Sequence, residues 1–573
     1  MQASDTTVVH TVPQGRGSAG VDADPITTEV IRHGLDAAAD QMRIALSRTA
    51  FSPVIYEMFD FAAALYDNEV RLLAQAQALP MFLGTMGHCI QNALAQIGGP
   101  GELSPGDVIF STYGYDIGSH QQDATVVLPG FHSGELVGYA TVKAHHMDIG
   151  AKEPYCTDTV DVFQEGAIFP SVWIYRGGVK QKDMYRTILA NSRLPEAFDG
   201  DLQAQIGAAR TGLAGLDRLI TRYGLEEFRE ACERMFDHGE AVARKFYTSI
   251  PDGRYTASCC LDSNGVSDEP VPFEVSVEVS GSDVCVDFSA APGELEGPMN
   301  CPLATTVSAA RVAMMTFAGG AASANEGHLR PIAIKTREGT MFDPRPPAPI
   351  FLYYWPAMQA VDAIHRALSD ARPEAVTAGS GGDLCCFIWW GVGADGEFWG
   401  DATDHYVGQG ATLRNDGAPP FMHITGSGIR NTPIEVFESR RPVVTERFEY
   451  SVDSAGAGRT RGGLGVDIHY RATDDLFITS TVERTTTPPW GLDGGGPAAP
   501  NRVRVRAVDG SYQTYGKATG VKIAAGEVVE LRTGGGGGFG PPAERAAELV
   551  RRDVEDGYIT EPEARRHYPH ALD

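Results

Sequence analysis

The sequence predicts a multi-domain α+β protein with mostly antiparallel sheets, flanking helices and a helical C-terminal segment. Three observations carry that prediction. Helical patterning occurs in separate blocks, at about 24–46, 202–247 and 541–573. The clearest strand signal is a local hairpin: Phe273, Val275, Val277 and Val279 alternate with Glu274, Ser276, Glu278 and Ser280. Gly281-Ser282 then turns the chain, and Val284, Val286 and Phe288 resume the alternation. From about 350 to 530, short strands and Gly-rich turns dominate, and glycine accounts for 66 of the 573 residues.

Taken in order, residues 1–23 are polar and rich in Gly, Ser and Thr, and read as a flexible tail. Asp24-Pro25 supplies an N-cap and a first-turn proline for a helix with Val30, Ile31, Leu35, Ala38, Met42 and Leu46 on one face. From Glu57 to Gln75 the period becomes two, with a turn at Asp67-Asn68-Glu69, and a further helix is expected over Gly84–Ala95. Residues 106–149 read as strands, and 202–247 as two helices broken at Gly224. Asp453–Gly463 looks mobile, and Thr560 with Glu563 forms a capping-box pattern near the C-terminus. The expected units are the tail, an α+β domain over 24–250, a β-rich domain over 251–345, an α+β domain over 346–440, and a β-rich domain with C-terminal helices over 441–573.

Charge narrows the partners. Lys and Arg total 47 against 74 for Asp and Glu, giving a net charge of −27. Basic residues do not cluster, which argues against nucleic acid and against anionic membrane surfaces. The longest apolar run, Leu384–Val392, falls far short of the ~18 residues of a membrane span. The N-terminus lacks a basic-then-apolar signal pattern. None of the nine cysteines stands in a CxxC pair, which favours a reducing, cytoplasmic setting.

Four residues attract attention as possible metal ligands. Asp60 interrupts the apolar run MFDFAAAL, where a bare carboxylate costs several kcal/mol to bury. His120 and Asp123 stand three apart, an offset that shares a ligand only if the strand bends, and Asp116–Ser119 supplies the bend. His145 ends a strand on the face of Tyr139, Thr141 and Lys143, whereas His146 falls among small apolar residues and reads as a packed core histidine. Two carboxylates and two imidazoles suit Zn, Mn, Fe or Co. Asp148 and Glu165 stand nearby as possible bases or orienting groups. The run TGGGGGFG at 533–540 formally contains GxGxxG but lacks the later acidic partner, and reads as a structural loop. The aromatic run at 387–391 and Cys385-Cys386 read as core.

The ordered blocks EMFDFAAALYD (57–67), GSHQQDATVV (118–127), AHHMDIG (144–150), FQEGAIFP (163–170), NEGHLRPI (325–332) and TGGGGGFGPP (533–542) make the chain resemble the hydantoinase B/oxoprolinase family. That family supplies the second large subunit of ATP-dependent hydantoinases, 5-oxoprolinases, caprolactamases and acetone- or acetophenone-type carboxylases. The resemblance implies a divalent metal, Zn or Mn, held at Asp60, His120, Asp123 and His145. It also implies a hydantoinase A-type partner that binds ATP and phosphorylates the substrate, in a hetero-oligomer such as a dimer of heterodimers. The small-molecule substrate would be a cyclic amide, opened by metal-activated water with Asp148 or Glu165 as base or orienter. The alternatives are a ketone carboxylase subunit and a non-catalytic scaffold for the ATPase. Two departures bear on the substrate: Phe82 occupies the family's usual histidine position, and Ser111–Tyr115 replaces its frequent Asn-Asp-Pro-Tyr.

Overall fold

The structure, a computed structural model, describes residues 7–10, 24–320 and 324–572. Thr7–His10 (β1) is a strand, so those four residues depart from the expected tail; the rest of that tail lies outside the described residues. The strands Phe61–Asp67 (β2), Leu72–Gln75 (β3), Val108–Ser111 (β4), Thr125–His132 (β5), Glu135–Ala144 (β6), Val172–Arg176 (β7) and Val179–Lys180 (β8) form a seven-stranded sheet, in the order β3-β2-β6-β5-β4-β7-β8. Every pairing in it is antiparallel.

Both faces of this sheet are covered. Phe61, Ala63 and Leu65 pack with the helices Pro25–Thr49, Pro195–Tyr223 and Leu225–Tyr247, whereas Ala62, Ala64 and Tyr66 pack towards Thr85–Ile97, Leu303–Phe317 and Tyr354–Ala367. All seven residues of β2 are therefore buried, and hydrophobicity alternates weakly along it. Asp24 caps the first helix as expected, its carboxylate accepting from the backbone N–H groups of Ile26 and Thr27. Gly224, at φ +85°, separates the two long helices where the sequence places the break.

The second sheet runs through Gly253–Leu261 (β9), Val271–Ser280 (β10), Asp283–Asp287 (β11) and Ile332–Arg337 (β12) to β1, in the order β1-β12-β11-β10-β9, with β11 and β12 parallel. Beyond it come Phe387–Val392 (β13), Phe398–Thr403 (β14), Val443–Ser451 (β15), Gly465–Ala472 (β16), Leu476–Thr481 (β17), Arg502–Arg506 (β18), Tyr512–Tyr515 (β19), Lys517–Ile523 (β20) and Val528–Arg532 (β21). They divide into β14-β13-β17-β20 and β15-β16-β21-β18-β19. The first of these sheets draws strands from both sides of residue 440, so the expected 346–440 and 441–573 segments share a sheet.

Two local expectations fail for the same reason. Asp453–Gly463 is pinned, not loose: Gly456 N–H donates to Gly536 O, and Gly536 N–H to Gly463 O, each at 2.9 Å. A Cβ on Gly536 would stand 1.9 Å from Gln409 O, so the glycine run at 533–540 is a close-packed backbone layer. Thr560 does not cap its helix through its side chain; its hydroxyl and N–H both donate to Asp453 at the end of that layer. Among the described residues no helix is long and apolar enough to cross a membrane.

Candidate metal centre

Strand register gathers the site. Phe61 pairs with Ala144, and Thr125 with Lys143, so Asp60, Asp123 and His145 all fall just beyond the same end of the adjacent strands β2, β5 and β6. His145 N–H donates to Asp60 O at 3.1 Å and His146 N–H to Gln122 O at 2.8 Å, which extends the pairing past the strand ends. The bend expected before His120 is one helical turn, Gly114–Ile117, ended by Gly118 at φ +72°. A Cβ on Gly118 would meet the Ala304 Cβ at 2.6 Å, so both conformation and space call for glycine.

His120 Nε2 lies 3.0 Å from Asp123 Oδ1 and 3.1 Å from His145 Nδ1, and the last two atoms are 3.1 Å apart. All three residues are buried. His120 Nδ1 faces the carbonyl oxygen of Phe351 at 2.9 Å and must donate to it, because that oxygen has no proton to give. A neutral His120 therefore turns the Nε2 lone pair towards a carboxylate oxygen and a second imidazole nitrogen. Three such atoms repel unless protons or a cation lie between them. Ligands about 2.1 Å from one ion stand ~3.0 Å apart at right angles and ~3.4 Å apart in a tetrahedron, so this triangle has the spacing of adjacent ligands. The donor set fits a divalent ion of the Zn or Mn kind.

The surroundings hold these atoms in place. Tyr353 O–H donates to Asp123 Oδ2 at 2.7 Å and leaves Oδ1 to the triangle. Burial alone would raise the Asp123 pKa, but the two imidazoles more than offset it and hold the carboxyl well below its ordinary range. The His120 ring is packed against Tyr155, Phe351 and Tyr353, with centroids 5.5, 5.4 and 5.1 Å away. His146 Nε2–H donates to Gln205 Oε1 at 2.9 Å beneath the sheet, the packed core histidine expected of it. Lys143, on the His145 face of β6, is fully buried; its ammonium donates to Ile117 O at 2.5 Å and Thr85 Oγ1 at 3.0 Å. It also lies 4.8 Å from the centre of the Phe82 ring. Burial pushes its pKa down to about 8.

The triangle opens on a cavity of about 50 Å³, enough for an ion and one or two waters. Asp60 lines this cavity beside His145, but its carboxylate lies outside the three-residue cluster. Burial, reinforced by Asp123 and Asp404 and opposed by His145, pushes its pKa up to about 7. Sequence reading missed the rest of the lining: Tyr155, Tyr353, Tyr354, Cys386 and Asp404. Asp404 is buried without a cationic partner among the described residues, and burial pushes it up to about 7. Cys386 belongs to that lining as well as to the core.

Asp148 and Glu165 do not line the cavity. Asp148 is saturated by Arg193, whose Nη2 and Nε stand 2.5 and 3.0 Å away and whose backbone N–H also donates to it. Glu165 Oε1 accepts from Ile350 N–H at 2.8 Å, Phe351 N–H at 2.9 Å and Thr159 O–H at 2.9 Å. It thereby fixes the loop whose carbonyl orients His120. Burial pushes its pKa up to about 8, with those three donors opposing.

The hydantoinase B/oxoprolinase family model matches residues 24–542. The chain belongs to this family. One member, a putative D-/L-hydantoinase B-type chain from Pseudomonas sp. (strain NS671), is 30% identical over 563 residues, 95% of each chain. The beta chain of the caprolactamase of Pseudomonas jessenii is 29% identical over 569 residues, 96% of each chain. The crystal structure of that ATP-dependent caprolactamase superposes with a TM-score of 0.89 at 28% identity, covering 96% of this chain and 97% of that one. An acetone carboxylase structure shares the fold, with a TM-score of 0.85 at 19% identity over 95% of this chain and 79% of that one.

Proposed function

We propose that this family member is the metal-binding subunit of an ATP-dependent cyclic amide hydrolase, opening a hydantoin, oxoproline or lactam ring that a partner ATPase subunit has phosphorylated. The observation that supports it most is the convergence of His120 Nε2, Asp123 Oδ1 and His145 Nδ1 on a small cavity, in a chain that matches a caprolactamase subunit along almost its whole length.

An amide carbonyl is a poor electrophile, and O-phosphorylation turns it into an imidate with a good leaving group. A divalent ion supplies Lewis acidity and lowers the pKa of water towards ~7. His120, Asp123 and His145 would hold that ion, with Asp60, which lines the same cavity, as the fourth candidate. Phe351 O fixes the His120 tautomer, and Tyr353 fixes the Asp123 carboxylate. Asp404 lines the same cavity, where burial pushes its pKa up to about 7, and it is placed to exchange a proton with water there. Asp148 and Glu165 act as positioning groups, because neither lines the cavity, Arg193 holds the Asp148 carboxylate, and Glu165 Oε1 is committed to Thr159 and the 350–351 backbone.

The test is elemental analysis of the chain purified with its genomic-neighbour ATPase, followed by a panel of hydantoins, oxoproline and lactams. One divalent ion per chain and ATP-dependent ring opening, both lost in His120→Ala, are expected. A metal-free active complex, or labelled bicarbonate appearing in the product, overturns the reading.

A further inference from the structure

The 50 Å³ cavity is too small for a substrate ring, but a groove of about 860 Å³ lies against it. Ile429 lines both spaces. Two pairs of sequence neighbours divide between them: Phe59 and Ala78 line the groove, Asp60 and Leu79 the cavity. The partition is thus a single layer of residues. Phe59 holds it in an uncommon conformation for a side-chain-bearing residue, φ +63°.

Arg430 stands on that partition. Its backbone N–H donates to Met58 O at 2.9 Å, and its guanidinium lies 4.6 Å from the centre of the Phe59 ring. Arg430 is exposed, and no carboxylate among the described residues pairs with its guanidinium. Arg43 lines the same groove but is paired with Asp40 at 2.8 Å. Gln75 and Asn431 line it too, and Gln75 Oε1 and Asn431 Oδ1 are buried without a hydrogen-bond partner. Either amide can turn its NH₂ group towards an anion.

We propose that this groove binds a small ring compound carrying a phosphoryl group, with Arg430 gripping the phosphoryl oxygens beside the Phe59 partition. A planar fork of N–H donors suits a tetrahedral oxyanion, and the remainder of the groove, uncharged apart from the paired Arg43, accommodates the ring. The assignment rests on the proposed reaction, in which the ring arrives phosphorylated.

The experiment is calorimetric titration of the full-length chain with phenylphosphonate, inorganic phosphate and ATP, before and after metal removal by a chelator. Phenylphosphonate should bind more tightly than either of the others, and binding should survive metal removal. Arg430→Met, which keeps the packing on Phe59, should weaken it about tenfold or more, and Arg430→Lys by less, with unchanged melting temperature and metal content. Wild-type affinity in Arg430→Met, loss of binding with the metal, or tighter binding of phosphate or ATP overturns the proposal. Arg430-dependent phosphonate binding in a complex that opens no ring would remove the hydrolase reading and leave this site standing.

Discussion

Tyr353→Phe removes one oxygen atom and tests whether the triangle is a metal site. The lost O–H donates at 2.7 Å to a buried carboxylate whose other oxygen faces the two imidazoles. A hydrogen bond to a charged acceptor contributes about 1.5–3 kcal/mol, and the ring itself stays packed against His120. With an ion bound, Oδ2 loses its only neutral donor, and the carboxylate is freer to rotate away from the triangle. Loss of a supporting partner of this kind lowers metal affinity by ~10–100-fold, or about 1.4–2.7 kcal/mol. Chelator competition on the purified chain reads the affinity, and thermal melting of the metal-free form separates any general loss of stability. Metal affinity within twofold of wild type would refute the assignment of Asp123 Oδ1 as a ligand.

Other outcomes follow from the same geometry. Asp123→Asn should abolish stoichiometric metal while the far-UV spectrum is retained, as measured by elemental analysis and circular dichroism. Glu165→Gln should change the pH dependence of stability: burial raises the folded carboxyl from 4.5 to about 8, so wild type is favoured below pH 4.5 and loses stability as pH rises towards 8, about 1.4 kcal/mol for each pH unit crossed. The neutral amide should therefore match wild type near pH 4.5 and be the more stable protein at pH 8.5 in denaturant titrations; parallel curves would sink this reading. Lys517 and Glu483 form a buried ion pair at 2.6 Å, so Lys517→Met, which strands the carboxylate, should cost about 3–5 kcal/mol in the same titrations.

What the sequence disclosed and what it withheld divide along chain separation. Asp60, Asp123 and His145 were visible because each interrupts or ends a strand pattern, and antiparallel register then places strand ends together. The cap at Asp24 and the break at Gly224 were equally visible, since both are settled within one turn of helix. Tyr353, Asp404 and Cys386 were not. They come from segments 200 or more residues later, where an aromatic run or a lone carboxylate carries no periodic mark; the only signal for Tyr353 was the dense run FLYYWP before a helix. Thr560 misled because a distant partner, Asp453, outbids the local cap. Asp148 and Glu165 stood out only as carboxylates near His145 in sequence, and that is not proximity to the cavity once Arg193 and the 350–351 backbone have claimed them.

That division has a consequence for how the centre assembles. The seven-stranded sheet alone can bring Asp60, Asp123 and His145 together, because their spacing is fixed by ladder hydrogen bonds within residues 60–145. It cannot choose the His120 tautomer or hold the Asp123 carboxylate, since both tasks fall to Phe351 and Tyr353, 231 and 230 residues away. Glu165 is the clasp, tying the sheet's own loop to Ile350 and Phe351 through one carboxylate oxygen. An ion binding the finished triangle must therefore favour the docked loop over the free one by the difference in its affinity for the two. If the triangle holds an ion, metal and loop docking stabilise each other by equal amounts, and a change that loosens the loop would weaken metal binding without touching a ligand.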